Sequence, residues 1–181
     1  MNLDDQQHLT TWVPRLRRYA RALAGTREDA DDLVQDTLER AWAKSALWQS
    51  VGDMRAWLFS IMHNLHVDGV RKPKIAMVLV DDDLPDMPVA ATQGERLAVI
   101  DLQTALNQLP IEQRELLLLV ALEDMAYSDI AKTLGIPIGT VMSRLSRGRE
   151  HLRAILDDRD NPAHGVAAVA AIGAVGLKVV R

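Results

Sequence analysis

The residues best suited to molecular recognition lie near the C-terminal end of the chain. In the stretch YSDIAKTLGIPIGTVMSRLSRGR, Tyr127 to Arg149, helical spacing turns Thr140, Ser143, Arg144 and Arg147 outward, and Arg149 and Arg153 follow. Guanidinium groups bind phosphate oxygens and the acceptor edge of guanine, and hydroxyls serve phosphates or base edges. On an exposed helix this set is fitted to the major groove of DNA. A second candidate is His63-x-x-His66-x-Asp68. Two histidines at i and i+3 can share a helix face, but Asp68 points elsewhere. No second cluster completes a coordination sphere, so a metal hydrolase built on these three residues is the weaker reading. The chain has no cysteine, which excludes disulfides, thiolate metal sites and direct thiol redox sensing. No cofactor and no small-molecule substrate are expected.

The recognition residues need two helices to hold them. Ile130, Ala131 and Leu134 recur at helical spacing and give the first helix an apolar face. Gly135 follows where a left-handed cap is least costly. Pro137 has the fixed backbone angle that suits a helix start. Val141, Leu145 and Leu152 mark the buried side of the second helix, and Ala131 is small where the two helices pass. The pattern predicts a helix-turn-helix. Its bland alternative is a surface helix hairpin with solvated arginines.

Upstream, residues 9–24 predict a helix with Val13, Leu16, Tyr19, Ala20 and Leu23 on one side, its start delayed by Pro14 and its end set by Gly25. Thr26 and Asp29 resemble a capping box for the next helix, about 27–44. Its apolar stripe is Ala30, Leu33, Val34, Leu38, Ala41 and Trp42. Asp31, Asp32, Gln35, Asp36 and Glu39 crowd the remaining surface. Solvation and helix-dipole support explain acidic residues in the first turn. Those further along suit a partner's basic helix. After a loop at 45–53, Asp53 is placed to cap a helix over 54–72, with Trp57, Leu58, Ile61, Leu65 and Val70 toward a core. Most of the four tryptophans are expected in packing; Trp48, in the loop, is placed to stack on an unpaired base.

Residues 73–95 change character, with three prolines, the acidic triplet Asp81–Asp83 and no helical period. They read as an extended acidic linker. IAMVLV within them could make a short strand but has no obvious partner. Helix 96–108 presents Leu97, Ile100, Leu102 and Leu106. A further helix starts at Leu109-Pro110, and its Leu116–Val120 run is apolar nearly all round, as a central buried helix requires. The tail, 157–181, holds an Ala/Val/Gly-rich run, Val166–Leu177, too short for a membrane span. No role is assigned to it.

Net charge is −4, and residues 73–95 alone account for it, with five acidic side chains against Lys74. Within 138–153 four arginines face only Glu150. This distribution argues against a strongly basic, non-specific DNA binder and suits acidic faces for a partner with one basic helix for DNA. The N-terminus lacks the apolar core of a signal peptide, so a cytoplasmic protein is expected.

Taken in order, DADDLVQDTLERAWAK (29–44), RAWLFSIMHNLHVDGVRK (55–72) and LPIEQRELLLLVALEDMAYSDIAKTLGIPIGTVMSRLSRGREHLR (109–153) resemble the extracytoplasmic-function group of bacterial RNA polymerase sigma factors. The resemblance implies an all-α fold: a region-two domain (1–72), the linker (73–95) and a region-four domain (96–156) ending in the helix-turn-helix, with 157–181 outside the pattern. It implies that Asp32, Gln35 and Asp36, with Asp31 and Glu39 beside them, grip core RNA polymerase. It implies that Asn64, Arg71 and Lys72 lie near the melted minus-ten strand, with the Trp48 loop holding a flipped base. It implies that Thr140, Ser143, Arg144 and Arg147, with Arg149 near them, meet the minus-thirty-five element of promoter DNA. An anti-sigma protein is the implied regulator. Met142 and Ser146 depart from the pattern, standing where other members carry a basic and an aromatic residue. An ordinary helix-turn-helix repressor or activator, acting as a homodimer on a palindrome, is the competing reading.

Overall fold

The computed structural model describes residues 3–44, 53–71 and 93–158, which form seven helices and no strand. They are α1 (Leu3–Ala24), α2 (Arg27–Ala43), α3 (Met54–Arg71), α4 (Gln93–Gln108), α5 (Ile111–Glu123), α6 (Tyr127–Leu134) and α7 (Ile138–Asp158). The first three make one unit and the last four a second. Residues 45–52 with Trp48, residues 72–92 and the tail beyond 158 lie outside the described residues; of the expected linker, 73–95, the last three residues already belong to α4.

Local chemistry sets the helix ends. Gly25 takes φ +86 between α1 and α2, a conformation that side chains with a Cβ resist. Thr26 Oγ1 accepts from the Asp29 N–H at 3.1 Å and caps α2. Asp53 Oδ1 accepts from the N–H groups of Arg55 and Ala56 at 2.9 and 3.3 Å and caps α3. Pro14 does not delay α1: the helix begins at Leu3 and carries Pro14 inside it. Packing on α2 and α5 outweighs the missing backbone donor.

One buried apolar cluster runs through both units, from Leu16, Tyr19 and Leu23 through Leu58, Phe59 and Met62 to Leu116, Leu119, Ile130 and Leu145. Tyr19 and Phe59 meet edge-on with ring centroids 4.9 Å apart, joining α1 to α3. As expected, Leu116–Leu119 are buried on α5, which packs on α1 and α7. Several expected core positions are not buried. Trp42 is 50% exposed, and Leu97 and Ile100 face out of α4 while Ala98, Ala105 and Leu106 are buried. Of the tryptophans, Trp12 and Trp57 are half-buried, and Trp12 lies under the Arg15 guanidinium. On α3 it is Phe59 and Met62 that are buried, beside Leu58 and Ile61, because α3 turns one face to α2 and another to α6.

Beside that shared apolar cluster, polar groups also join the units. Arg114 of α5 donates to the Leu23 carbonyl at 2.9 Å, and Gln103 of α4 donates to the Ala22 carbonyl at 3.2 Å. Two carbonyls at the end of α1 are thus capped from the other unit. His63 Nδ1 of α3 lies 2.6 Å from Glu115 Oε1 of α5. Glu123, the last residue of α5, is fully buried among Arg15 and Arg18 of α1 and Arg55 of α3. Arg55 donates to the Glu123 carbonyl at 3.1 Å, and Arg18 to that of Leu122.

Burial pushes the Glu123 carboxyl above its ordinary value, and the arginines offset this only in part. Burial, then the charges of Glu115 and Glu123, also push the Tyr19 phenol up. A carboxyl whose pKa is raised in the packed state stabilises that state when protonated; this contribution is lost as pH rises through the raised value. Wild-type protein is therefore expected to gain thermal stability relative to Glu123→Gln as pH falls from neutral toward the ordinary carboxylate range. Parallel stability–pH curves for the two proteins would show that Glu123 does not titrate in this way.

Candidate functional site

Residues 127–153 fold as the sequence pattern requires. Gly135 closes α6 in the left-handed region at φ +64, and Ile136 N–H donates to the Ala131 carbonyl at 3.0 Å. Pro137 then opens α7, its carbonyl accepting from Thr140 and Val141 at 2.9 and 3.2 Å. Val141, Leu145 and Leu152 are buried. Gly148 joins them: a Cβ there would lie 3.2 Å from Gln113 Cβ and 3.3 Å from Leu117 Cδ1, so this glycine lets α7 pass close to α5. His151 Nδ1, 2.9 Å from Gln113 Oε1, fixes the same crossing.

The outer face of α7 carries Gly139, Met142, Ser143, Ser146 and Arg147, all exposed. Arg147 folds back along its own helix, donating to the Ser143 carbonyl at 3.2 Å, while Ser143 Oγ donates to the Thr140 carbonyl at 3.1 Å. Both contacts are exposed and can exchange for phosphate or base partners. Thr140 is half-buried. Arg144 stands on the flank rather than the outer face, paired with Glu112 of α5 at 3.0 Å. Arg149 is also committed: it donates to the Tyr127 hydroxyl at 3.0 Å and ties α7 to the start of α6. Helical spacing alone had set both with the outward arginines, and only the neighbouring helices separate them.

On α2 the burial of Ala30, Leu33, Val34, Thr37 and Ala41 leaves Asp31, Asp32, Gln35, Asp36 and Glu39 exposed together. Gln35 donates to Glu39 at 2.9 Å, and Arg27 stands 4.0 Å from Asp31. Trp42 projects from the last turn of the same helix. An exposed tryptophan beside carboxylates is a typical anchor for a protein partner. The sequence reading placed it in the core because its spacing also fits the apolar stripe.

On α3, Asn64 is exposed and donates to the Ser60 carbonyl at 2.8 Å. Arg71 is the last residue of α3. Lys72 and Trp48 lie outside the described residues, as does the Arg71 side chain. The histidine pair finds a packing role in part, since His63 is engaged by Glu115. Among the described residues no three His, Asp or Glu side chains gather as a metal set.

Two family models match the chain. The one described as the Sigma2 domain of PhyR matches residues 9–63, and the one described as Sigma-70, region 4 matches residues 100–152. The sigma factor EcfG of Rhodopseudomonas palustris is 37% identical over 145 residues, covering 80% of each chain. Among solved structures, the sigma factor RpoE of Bartonella quintana, in complex with the anti-sigma factor NepR, superposes with a TM-score of 0.71 at 33% identity. That match covers 87% of this chain and 99% of that one. CnrH, in complex with the cytosolic domain of CnrY, gives 0.62 at 26% identity, covering 86% and 88%. The two matched regions fall on the two helical units in the order the sequence implied, and the likeness continues through both: the chain belongs to the extracytoplasmic-function family of RNA polymerase sigma factors.

Proposed function

We propose that the two units divide the work of promoter recognition. The α2 face of Asp31, Asp32, Gln35, Asp36 and Glu39 docks on core RNA polymerase, with Trp42 as its apolar anchor. Asn64 and Arg71 of α3, with Lys72 and the Trp48 loop, receive the melted minus-ten strand. The outer face of α7 enters the major groove at the minus-thirty-five element. Binding an unstacked strand better than duplex shifts the melting equilibrium, and the loop pocket offsets the few kcal/mol needed to extrude a base. RNA synthesis belongs to the polymerase, so this chain is no enzyme and works in the cytoplasm. An anti-sigma protein holds it until a signal arrives; the similar B. quintana sigma factor is in complex with the anti-sigma factor NepR.

One observation carries this reading. The acidic face and the α7 face both stay exposed while the opposite sides of their helices are buried. Within the α7 face, Ser143 and Arg147 are the polar contacts, and Met142, 51% exposed, is suited to a thymine methyl. Arg144 reaches the DNA backbone from the flank once it leaves Glu112.

The test is promoter-directed transcription with purified chain, core polymerase and a library of upstream DNA. Specific starts that require the chain establish the reading and give both elements. A tight homodimer on duplex DNA with no starts replaces it with the repressor. Arg147→Ala is expected to weaken binding at the upstream element by about 1–3 kcal/mol if the side chain reaches a guanine. If it meets only phosphate, binding falls evenly across sequences and the salt slope drops by about one. Unchanged affinity and salt slope would remove Arg147 from the interface.

A further inference from the structure

The outer face of α7 is two rows of side chains, and only one of them is charged. Residues four apart on a helix stack along one ridge. Gly139, Ser143 and Arg147 make one row; Ile138, Met142 and Ser146 make the row beside it, and all six are exposed. Ile138 is 46% and Met142 51% exposed, although both are apolar. Scattered apolar side chains on a surface are ordinary. Two on one ridge, beside an arginine and two serines, are a pattern. No carboxylate occurs from Ile138 to Arg147. The row is thus set for a partner with apolar spots in an anionic frame. The major groove is such a partner, with thymine methyls between two phosphate strands.

Gly139 is a second, independent sign. A glycine within a helix costs stability against alanine. Gly148 has its reason in the close crossing of α7 on α5. At Gly139, among the described residues, an added Cβ would meet nothing within 4 Å. No described neighbour calls for a glycine there. A missing side chain in the first turn of α7 leaves room for a strand that arrives from outside the fold.

We infer that Ile138 and Met142 together read pyrimidine 5-methyl groups, so that the upstream element requires two thymines, and that Gly139 admits the adjoining phosphate strand. The inference deepens the proposed contact of α7 with the minus-thirty-five element and rests on it. Residues at the N-terminal end of a recognition helix are the ones that reach base edges. Ile138 and Met142 are the first and fifth residues of α7. Four residues span about 6 Å along a helix, and successive bases lie about 3.4 Å apart. The two thymines therefore stand no more than about two steps apart. The recognised feature is the methyl group and not the base: 5-methylcytosine carries the same group on the same carbon and serves in its place. Ser143 and Arg147, on the other row, take the hydrogen-bonding edges.

Deoxyuridine pairs as thymine does and lacks only the methyl, which makes it the probe. The chain with core polymerase is titrated onto a promoter it has selected, with each upstream thymine replaced in turn. Burying one methyl group is worth about fourfold in affinity. Two thymines are expected to show that loss on replacement. Met142→Ala removes the response at one and Ile138→Ala at the other, with melting temperatures unchanged because both side chains are exposed. At either site 5-methylcytosine binds about fourfold better than cytosine with the unsubstituted chain. With the matching variant the two bind equally. Gly139→Ala melts no lower, yet binds every sequence several-fold more weakly and keeps the thymine-to-deoxyuridine ratio. Equal affinity for thymine and deoxyuridine at every position would overturn the inference, as would discrimination that survives in the double variant Ile138→Ala, Met142→Ala. Equal affinity, with self-association or anti-sigma binding lost in the double variant, would assign the row to a protein partner instead. Failure of the unsubstituted chain to support any starts would count against the sigma function. The same comparison on duplex selected by the chain alone would then still decide the reader, and a chain that binds no duplex would overturn both.

Discussion

Replacing Asp32 and Asp36 together with arginine is expected to lower affinity for core polymerase at least about a hundredfold while thermal stability stays within a few degrees. Both side chains are exposed on the outer face of α2, and the helix is held from behind by Ala30, Leu33, Val34 and Ala41. The fold therefore has little to lose. The interface has much to lose, because two attractive contacts become two repulsive ones. Like charges brought together in a protein interface cost several kcal/mol, and each 1.4 kcal/mol is about tenfold in affinity. Equilibrium binding to core polymerase, beside a thermal melt of the same sample, separates the effects. Unchanged affinity would mean that the acidic face is merely solvated. A large drop in melting temperature would mean that it belongs to the fold.

Phe59→Ala is expected to destabilise the protein by about 3–5 kcal/mol, read as a lower denaturant midpoint with an unchanged slope. Phe59 is buried within the first unit and meets Tyr19 edge-on at 4.9 Å. The substitution leaves a cavity where α1 and α3 join and removes the edge-to-face contact as well. Because α3 also carries Asn64 and packs on α6, loosening Phe59 disturbs the seat of the proposed minus-ten face. A loss below about 1 kcal/mol would show that the neighbouring chains collapse into the space.

The elements of this fold were largely legible in the sequence, and their neighbours were not. Thr26, Asp53, Gly25 and Gly135 act within a few residues of themselves, so type and position sufficed to place them. The Leu116–Leu119 run declared its burial by having no polar side. Trp42, Leu97 and Ile100 misled because spacing tells which residues share a face, not whether another helix arrives to cover it. Arg144 and Arg149 stand off the outer face for the related reason that Glu112 and Tyr127 come from other helices. The buried Glu115 and Glu123 gave no signal, since a glutamate in a helix is ordinarily exposed. Gly148 could have been noticed: a glycine inside a helix costs about 1 kcal/mol against alanine, and such a cost implies a close neighbour.

The capping of α1 bears on any dissection of the protein. Its last carbonyls are served by Gln103 and Arg114, which lie beyond the linker. The boundary written in the sequence is therefore not the boundary of the hydrogen bonding. A first unit excised at the linker loses the apolar neighbours that α5 and α6 bring to the shared core, and with them two side-chain donors at one helix end. The excised second unit keeps Gln103 and Arg114 without their acceptors. Affinities measured on separate halves include the reorganisation of these ends, and their free energies need not add to that of the whole chain.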